Sequence, residues 1–264
     1  MKKQANIKNI TIDTDGFYKF TLDGVETLHI KVQERITCEL ILNLENIQKL
    51  QKTIVIDAHA QARILWKNKS EAAKIYARYD IAQYANIKIG YYELENKQCE
   101  LSVVYHLLGI ESALSSSCVS VASAKKHYDF ECIHHAQHTT SDIHNYEISK
   151  EFADYRVKTT GNIKKGASFS KARQVSRILT SSDHQKSEAI PLLLIDENEV
   201  EASHANSMGK MDDDYLYYLT SRGIHLERAK DLLTLSFLMP IVDVIEHAAT
   251  KEALQHEIRE QVGL

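Results

Sequence analysis

The chain has 264 residues with 32 basic and 36 acidic side chains, a formal charge of -4, and only two prolines and nine glycines. Near balance of charge gives no broad positive field for nucleic acid or acidic lipid. Scarce glycine excludes phosphate-cradling loops and long flexible linkers. Four scattered cysteines, Cys38, Cys99, Cys118 and Cys132, form no CxxC pair, which argues against a disulfide framework.

The opening residues, MKKQANIKNI, carry no apolar core of a secretion signal. No run nears the roughly 18 apolar residues of a membrane helix. A cytoplasmic location is expected, without membrane or nucleic-acid partners. Three stretches then alternate with period two. Ile36, Cys38, Leu40, Leu42 and Leu44 share a phase, as do Ile56, Ala58, Ala60, Ala62 and Ile64. The third runs from Ile75 through Tyr79 and Ala85 to Ile89, with Gln83 out of phase. Strand side chains alternate between faces, so each stretch is expected to be a strand with one buried face.

Further short strands are expected near 99–107, 113–122, 127–136, 142–149, 154–160, 168–178 and 190–195. No Asn-Gly occurs, and Asp15-Gly16 and Asp23-Gly24 lie only at the beginning, so tight hairpins are few. Many short strands with few hairpins suit a parallel solenoid, although the residues alone leave an antiparallel sandwich open.

From about residue 211 the period becomes helical. Asp212, Asp213 and Asp214 cap a helix bearing Tyr215, Leu216 and Leu219, and Gly223 ends it. A second helix carries Leu226, Ala229, Leu232, Leu233 and Phe237. Pro240 interrupts it, and Ile241, Val244, Ile245 and Ala248 continue the apolar stripe. The expected division is a β body over 1–210 and a helical region over 211–264; the stripe is expected to pack as core, while a tail this short is not expected to bury both sides of three helices on the body alone, which favours a partner.

Cys118, Cys132 and His134 are candidate metal ligands, since thiolate and imidazole suit zinc or iron. Tyr128, Phe130, Cys132 and His134 share a strand phase, so Cys132 and His134 are expected to point inward together. The competing reading is a buried thiol beside a hydrogen-bonded histidine. No GxSxG elbow, HExxH motif or nucleotide loop is present, so neither a nucleophile nor nucleotide binding is expected on this chain.

The segment EVEASHANSMGKMDDDYLYYLTSRGIHLERAKDLLTLSF, Glu199 to Phe237, resembles the C-terminal signature of the SufB/SufD family of iron–sulfur cluster assembly scaffolds. Upstream, His138-Thr139-Thr140-Ser141, then Val157, Gly166, Ala167 and Gln174, are similar to that family's HTTS and following coil. The clear resemblance covers about residues 130 to 245.

The resemblance implies a right-handed parallel β-helix with a small C-terminal helical region, and a non-enzymatic role. It implies a transient iron–sulfur cluster and a SufC-like ABC-type ATPase docked on the helices through Arg222, Gly223, Leu232, Leu233 and Phe237. It also implies a SufB-like subunit, or a second copy of the chain, as dimer partner. His204 falls on the family histidine, a candidate cluster or iron ligand at the subunit interface. Ala205 stands where SufB-type chains carry glutamate, and Ser176 where they carry the cluster-building cysteine, so a SufD-like subunit is expected. The chain is short for that type, which implies a pared-down system. A homodimeric minimal scaffold using Cys118 or Cys132 is one alternative; a β-helix enzyme acting on polysaccharide is another.

Overall fold

A computed structural model describes residues 6–264. The odd-numbered strands of the chain are β1 (Ile7–Ile12), β3 (Thr27–Val32), β5 (Lys49–Ile56), β7 (Ala72–Ile81), β9 (Gln98–Leu107), β11 (Lys125–His134), β13 (Asp154–Ile163) and β15 (Lys186–Ile195). They pair in that order into one parallel sheet. The even-numbered strands are β2 (Gly16–Asp23), β4 (Thr37–Glu45), β6 (Gln61–Asn68), β8 (Asn86–Glu93), β10 (Ala113–Ala122), β12 (Thr140–Ser149), β14 (Lys171–Thr180) and β16 (Glu201–Gly209). They make the second parallel sheet. The chain alternates between the two sheets with every strand, which is a β-solenoid, and the antiparallel sandwich is thereby excluded.

Coil length is not constant. The register advances by 20 residues from β1 to β3, where Ile7 lies opposite Thr27, and by 32 from β13 to β15, where Asp154 lies opposite Lys186. Coils of unequal length stack as well as equal ones when the extra residues sit in corners, so the fold leaves no fixed sequence period.

One corner is built the same way in successive coils. Arg35, His59, Tyr84, Glu111, His138 and Phe169 all adopt a left-handed φ between 56° and 63°. That conformation is costly for a residue with a Cβ. Here it is held by a main-chain link to the next coil: the amides of Arg35, His59 and Tyr84 donate to the carbonyls of Ala58, Gln83 and Ile110 at 3.1, 3.0 and 2.9 Å. Glu111 and His138 continue the ladder to Gln137 and Ser168 at 3.2 and 3.0 Å.

This corner corrects two of the expected strands. The run from Ile56 to Ile64 is the end of β5, a corner at His59 and the start of β6, and the run from Ile75 to Ile89 is β7, a corner at Tyr84 and β8. The inward phase survives the corner, with Ile56, Ala60, Ala62 and Ile64 all buried, so alternation passes through it unbroken.

The interior is aliphatic in the first coils and then takes in hydroxyl and ring groups that satisfy one another. Trp66 Nε1 donates to Tyr79 Oη at 2.8 Å, Tyr91 Oη donates to Tyr79 Oη at 3.2 Å, and Tyr105 Oη donates to Tyr91 Oη at 3.1 Å. Buried phenols need such partners.

The helices are α1 (Asp213–Ser221), α2 (Leu226–Leu238), a 3-10 turn (Met239–Val244) with Pro240 as its second residue, and α3 (Ala248–Val262). Asp212 caps α1 by accepting from the Asp214 amide at 2.9 Å, and Gly223 ends it with φ 85°. The apolar stripe does not wait for a partner. Leu238, Ile241, Val242, Val244, Ile245, Leu254 and Ile258 bury themselves against Ile41, Leu65, Tyr92, Val119 and Ile148 on the outer face of the even-numbered sheet. The stripe therefore packs as core, as expected, while α1 buries no side chain. β4, β6, β8, β10 and β12 are covered on both faces where the helices lie. Glycine makes the close approach possible at Gly90, where a Cβ would stand 2.8 Å from Ile241 Cδ1 and 2.9 Å from Leu65 Cδ1.

Candidate functional site

The solenoid ends on β15 and β16, and among the described residues no further coil covers them. Side chains that would be interior one coil earlier are therefore bare. His204 lies in register with Gln174 of β14; Gln174 is buried and His204 is exposed. Gln174 Nε2 donates to the Leu192 carbonyl at 3.0 Å, while its Oε1 has no partner. Gly161 leaves room for that carboxamide, since a Cβ there would meet Gln174 Nε2 at 2.9 Å. Around this end Leu192, Leu194, Ile195 and Met208 are exposed. Met208 shares the inward phase of β16 with His204, and Ile195 stands in the inward phase of β15, whereas Leu192 and Leu194 stand in its outward phase.

Ser176 is buried in the coil beneath, 4% exposed, and its Oγ accepts from Asn145 Nδ2 at 3.3 Å. It belongs to an inward column that runs Tyr91, Cys118, Asn145, Ser176, Asn206 through successive coils of the even-numbered sheet. Cys118 thus sits two coils below Ser176, about 10 Å at the usual strand spacing. Its thiol is pushed well above the ordinary range by burial first, then by the nearby Glu93 and Glu147 carboxylates. A thiol in that state is a poor ligand.

Cys132 and His134 do point inward together from β11, both fully buried. Burial pushes the Cys132 thiol up to about 12. His134 is held at both ring nitrogens, Nδ1 2.7 Å from Thr139 Oγ1 and Nε2 2.9 Å from Ser141 Oγ. Burial lowers its pKa to about 4, so it is a neutral core histidine with no free nitrogen. The HTTS stretch acts here as the clamp on that ring. The four residues His204, Cys118, Cys132 and His134 are not brought to one place. Among the described residues no three His, Cys, Asp or Glu side chains are arranged to hold a metal ion.

At the helical end, Arg222 caps α1 and lays its guanidinium over the Tyr218 ring, 5.0 Å from its centroid. Leu232 and Leu233 are half-buried. Phe237 is half-buried and packs edge-on against Tyr146 of β12. Between α1, α2 and the last coils runs a groove lined by Leu179, Met208, Met211, Tyr215, Leu233 and Phe237. Tyr215, Tyr217 and Tyr218 stand out to solvent from α1, and helical spacing of the apolar residues alone did not single out the last two.

A polar interior cluster also escaped the sequence reading. Lys126 Nζ donates to the Glu93 carbonyl, and Asn68 Nδ2 donates to Glu93 Oε2 at 3.1 Å. Glu147 lies nearby without a partner of hydrogen-bonding geometry, its pKa raised to about 7 by burial. Lys52 Nζ, also unpartnered, sits 3.3 Å from the Trp66 ring centroid, and burial drives its pKa well down. The signal was available: Lys126 shares its strand phase with Tyr128, Phe130 and Cys132.

The family model for the SUF system FeS cluster assembly SufBD core domain matches residues 23–237. The chain belongs to the SufB/SufD family. The match begins inside β2, so family character extends over the early coils, where the resemblance of motifs had been confined to about 130–245. Iron–sulfur cluster assembly protein SufD of Bacillus subtilis is 36% identical over 137 residues, 52% of this chain and 31% of that protein. SufB of the same organism is 25% identical over 124 residues, 46% of this chain and 27% of that one. A SufBD family protein of Mycobacterium leprae is 36% identical over 90 residues, covering 32% and 23%. The matches span a third or less of these curated relatives. No helix among the described residues of this SufB/SufD chain is long and apolar enough to cross a membrane.

Proposed function

We propose that this chain is a SufD-like scaffold subunit of the SUF system, holding a nascent iron–sulfur cluster as cargo between itself and a SufB-like partner. The observation that carries this reading is the uncovered last coil, which leaves His204 exposed in the inward phase of β16 together with Met208. A neutral imidazole is a competent iron ligand, and a partner's open coil would supply the remaining ligands while covering Ile195 and Met208. Greater identity to SufD than to SufB of one organism supports the SufD-like assignment, as do Ala205 and Ser176. The groove beside Leu233 and Phe237, with Arg222, Gly223 and Leu232 near it, is where a SufC-like ABC-type ATPase docks in this reading.

A homodimer is the second reading, because the same uncovered coil end suits a second copy of the chain. It is weaker as a cluster builder, since Cys118 and Cys132 are buried with raised thiol pKa values. Nothing supports a polysaccharide-acting enzyme. The charged outer cleft of the odd-numbered sheet has its acids paired, Glu100 with Lys74 and Lys125, Asp129 with Lys158.

The test is anaerobic reconstitution with iron and sulfide of the complex co-purified with the ATPase. His204→Ala is expected to lower cluster yield while leaving co-purification intact. Undiminished yield would remove His204 from the site, and loss of co-purification would show a structural role instead. Light scattering of the purified complex separates heterodimer from homodimer.

A further inference from the structure

His106, near the end of β9, and His135, one residue past β11, meet on the outer face of the odd-numbered sheet. His106 Nδ1 lies 3.0 Å from His135 Nε2, with ring centroids 5.2 Å apart at 27°. The backbone of His135 is fixed there by its amide, which donates to the Leu107 carbonyl at 3.0 Å. The helices pack on the other sheet, so this face is open and His135 is exposed.

Imidazole nitrogens bound at about 2.0–2.1 Å to one ion, at angles from octahedral to tetrahedral, stand roughly 2.9–3.4 Å apart. The observed separation falls in that range. Both rings have their pKa lowered, first by partial burial; Arg78 acts next on His106, and Lys164 on His135. Both are therefore neutral near pH 7 and carry available lone pairs. Arg78 is itself engaged, its Nε donating to Asp80 at 2.9 and 3.1 Å, and the carboxylates of Asp80 and Glu131 oppose the basic groups around His106.

We propose that His106 and His135 form an exposed two-imidazole site for a divalent first-row transition-metal ion. The donor ring shifts its proton to its other nitrogen, the ion takes that proton's place between the rings, and water completes its coordination, because among the described residues no third protein ligand converges there. Two ligands make a weaker site than the three or four of structural metal centres. The inference stands on local geometry and is independent of the scaffold reading.

Equilibrium dialysis of the full chain against Zn(II) tests it, with His106→Gln, His135→Gln and the double variant alongside. Wild type is expected to hold one more Zn(II) than any of the three, and the single variants are expected to match the double. With Cu(II), the wild-type electron paramagnetic resonance spectrum is expected to show coupling to two nitrogens, reduced in each variant. Equal stoichiometry in all four proteins, loss in only one single variant, or a wild-type Cu(II) spectrum without two-nitrogen coupling would each overturn the proposal.

Discussion

Phe237 stands perpendicular to Tyr146, ring centroids 5.6 Å apart at 89°. A residue of the helical region that the family resemblance assigned to a partner is thus already engaged by the solenoid. Phe237→Ala is expected to destabilise the chain by about 1–2 kcal/mol, below the range for a fully buried phenylalanine because the site is only half covered. Tyr146→Ala should couple to it non-additively in a denaturant double-mutant cycle. Additive effects would show that the edge-on contact contributes nothing.

The proposed docking of a SufC-like ATPase needs a probe free of that contact. Tyr217 is 76% exposed on α1, so Tyr217→Asp is expected to leave the unfolding midpoint unchanged and to weaken co-purification with the ATPase. Unchanged co-purification would move the docking surface away from α1.

His134 should make the fold sensitive to acid. Its folded pKa of about 4 lies below the ordinary 6.5, so the unfolded chain takes up the proton first. Stability from this residue is complete above pH 6.5 and falls between 6.5 and 4, by on the order of 3 kcal/mol in total. His134→Gln is expected to remove that slope when wild type and variant are compared by denaturation at each pH.

Glu147 acts in the opposite sense. Its folded pKa of about 7 lies above the ordinary 4.5, so the native state keeps its proton longer than the unfolded chain. Its contribution falls as pH rises from 4.5 to 7. Glu147→Gln is therefore expected to be more stable, relative to wild type, at pH 8 than at pH 4. A difference that did not change with pH would mean that the carboxyl is ionised in the fold at no cost.

Gly90→Val should loosen the helical layer from the sheet. The added carbons would collide with Ile241 and Leu65, and overpacking of this kind costs about 1–3 kcal/mol. Faster hydrogen exchange across α2 and α3, with the coils of β4 and β6 unchanged, is the expected signature.

The coils were legible because inward residues such as Leu40, Leu42, Tyr128 and Phe130 keep strict alternation. Corners were not, because His59 and Tyr84 turn the chain without shifting that alternation, and left-handed φ at a histidine or tyrosine has no compositional marker. The covering of the even-numbered sheet was half visible. Ile41 and Leu65 stand in the outward phase of their strands and are apolar, which is the mark of a strand buried on both sides. His204 was found only through its neighbours in the signature segment, since an exposed histidine carries no periodic signal. His106 and His135 are 29 residues apart, and only the coil length of that stretch puts them side by side.

β15 and β16 each keep one row of amide and carbonyl groups with no strand beside it among the described residues. Such rows recruit whatever strand arrives first. Expressed by itself, this polypeptide is expected to aggregate with rising concentration, and if the proposed SufB-like partner closes that edge, co-expression with it should raise its soluble yield by mass action.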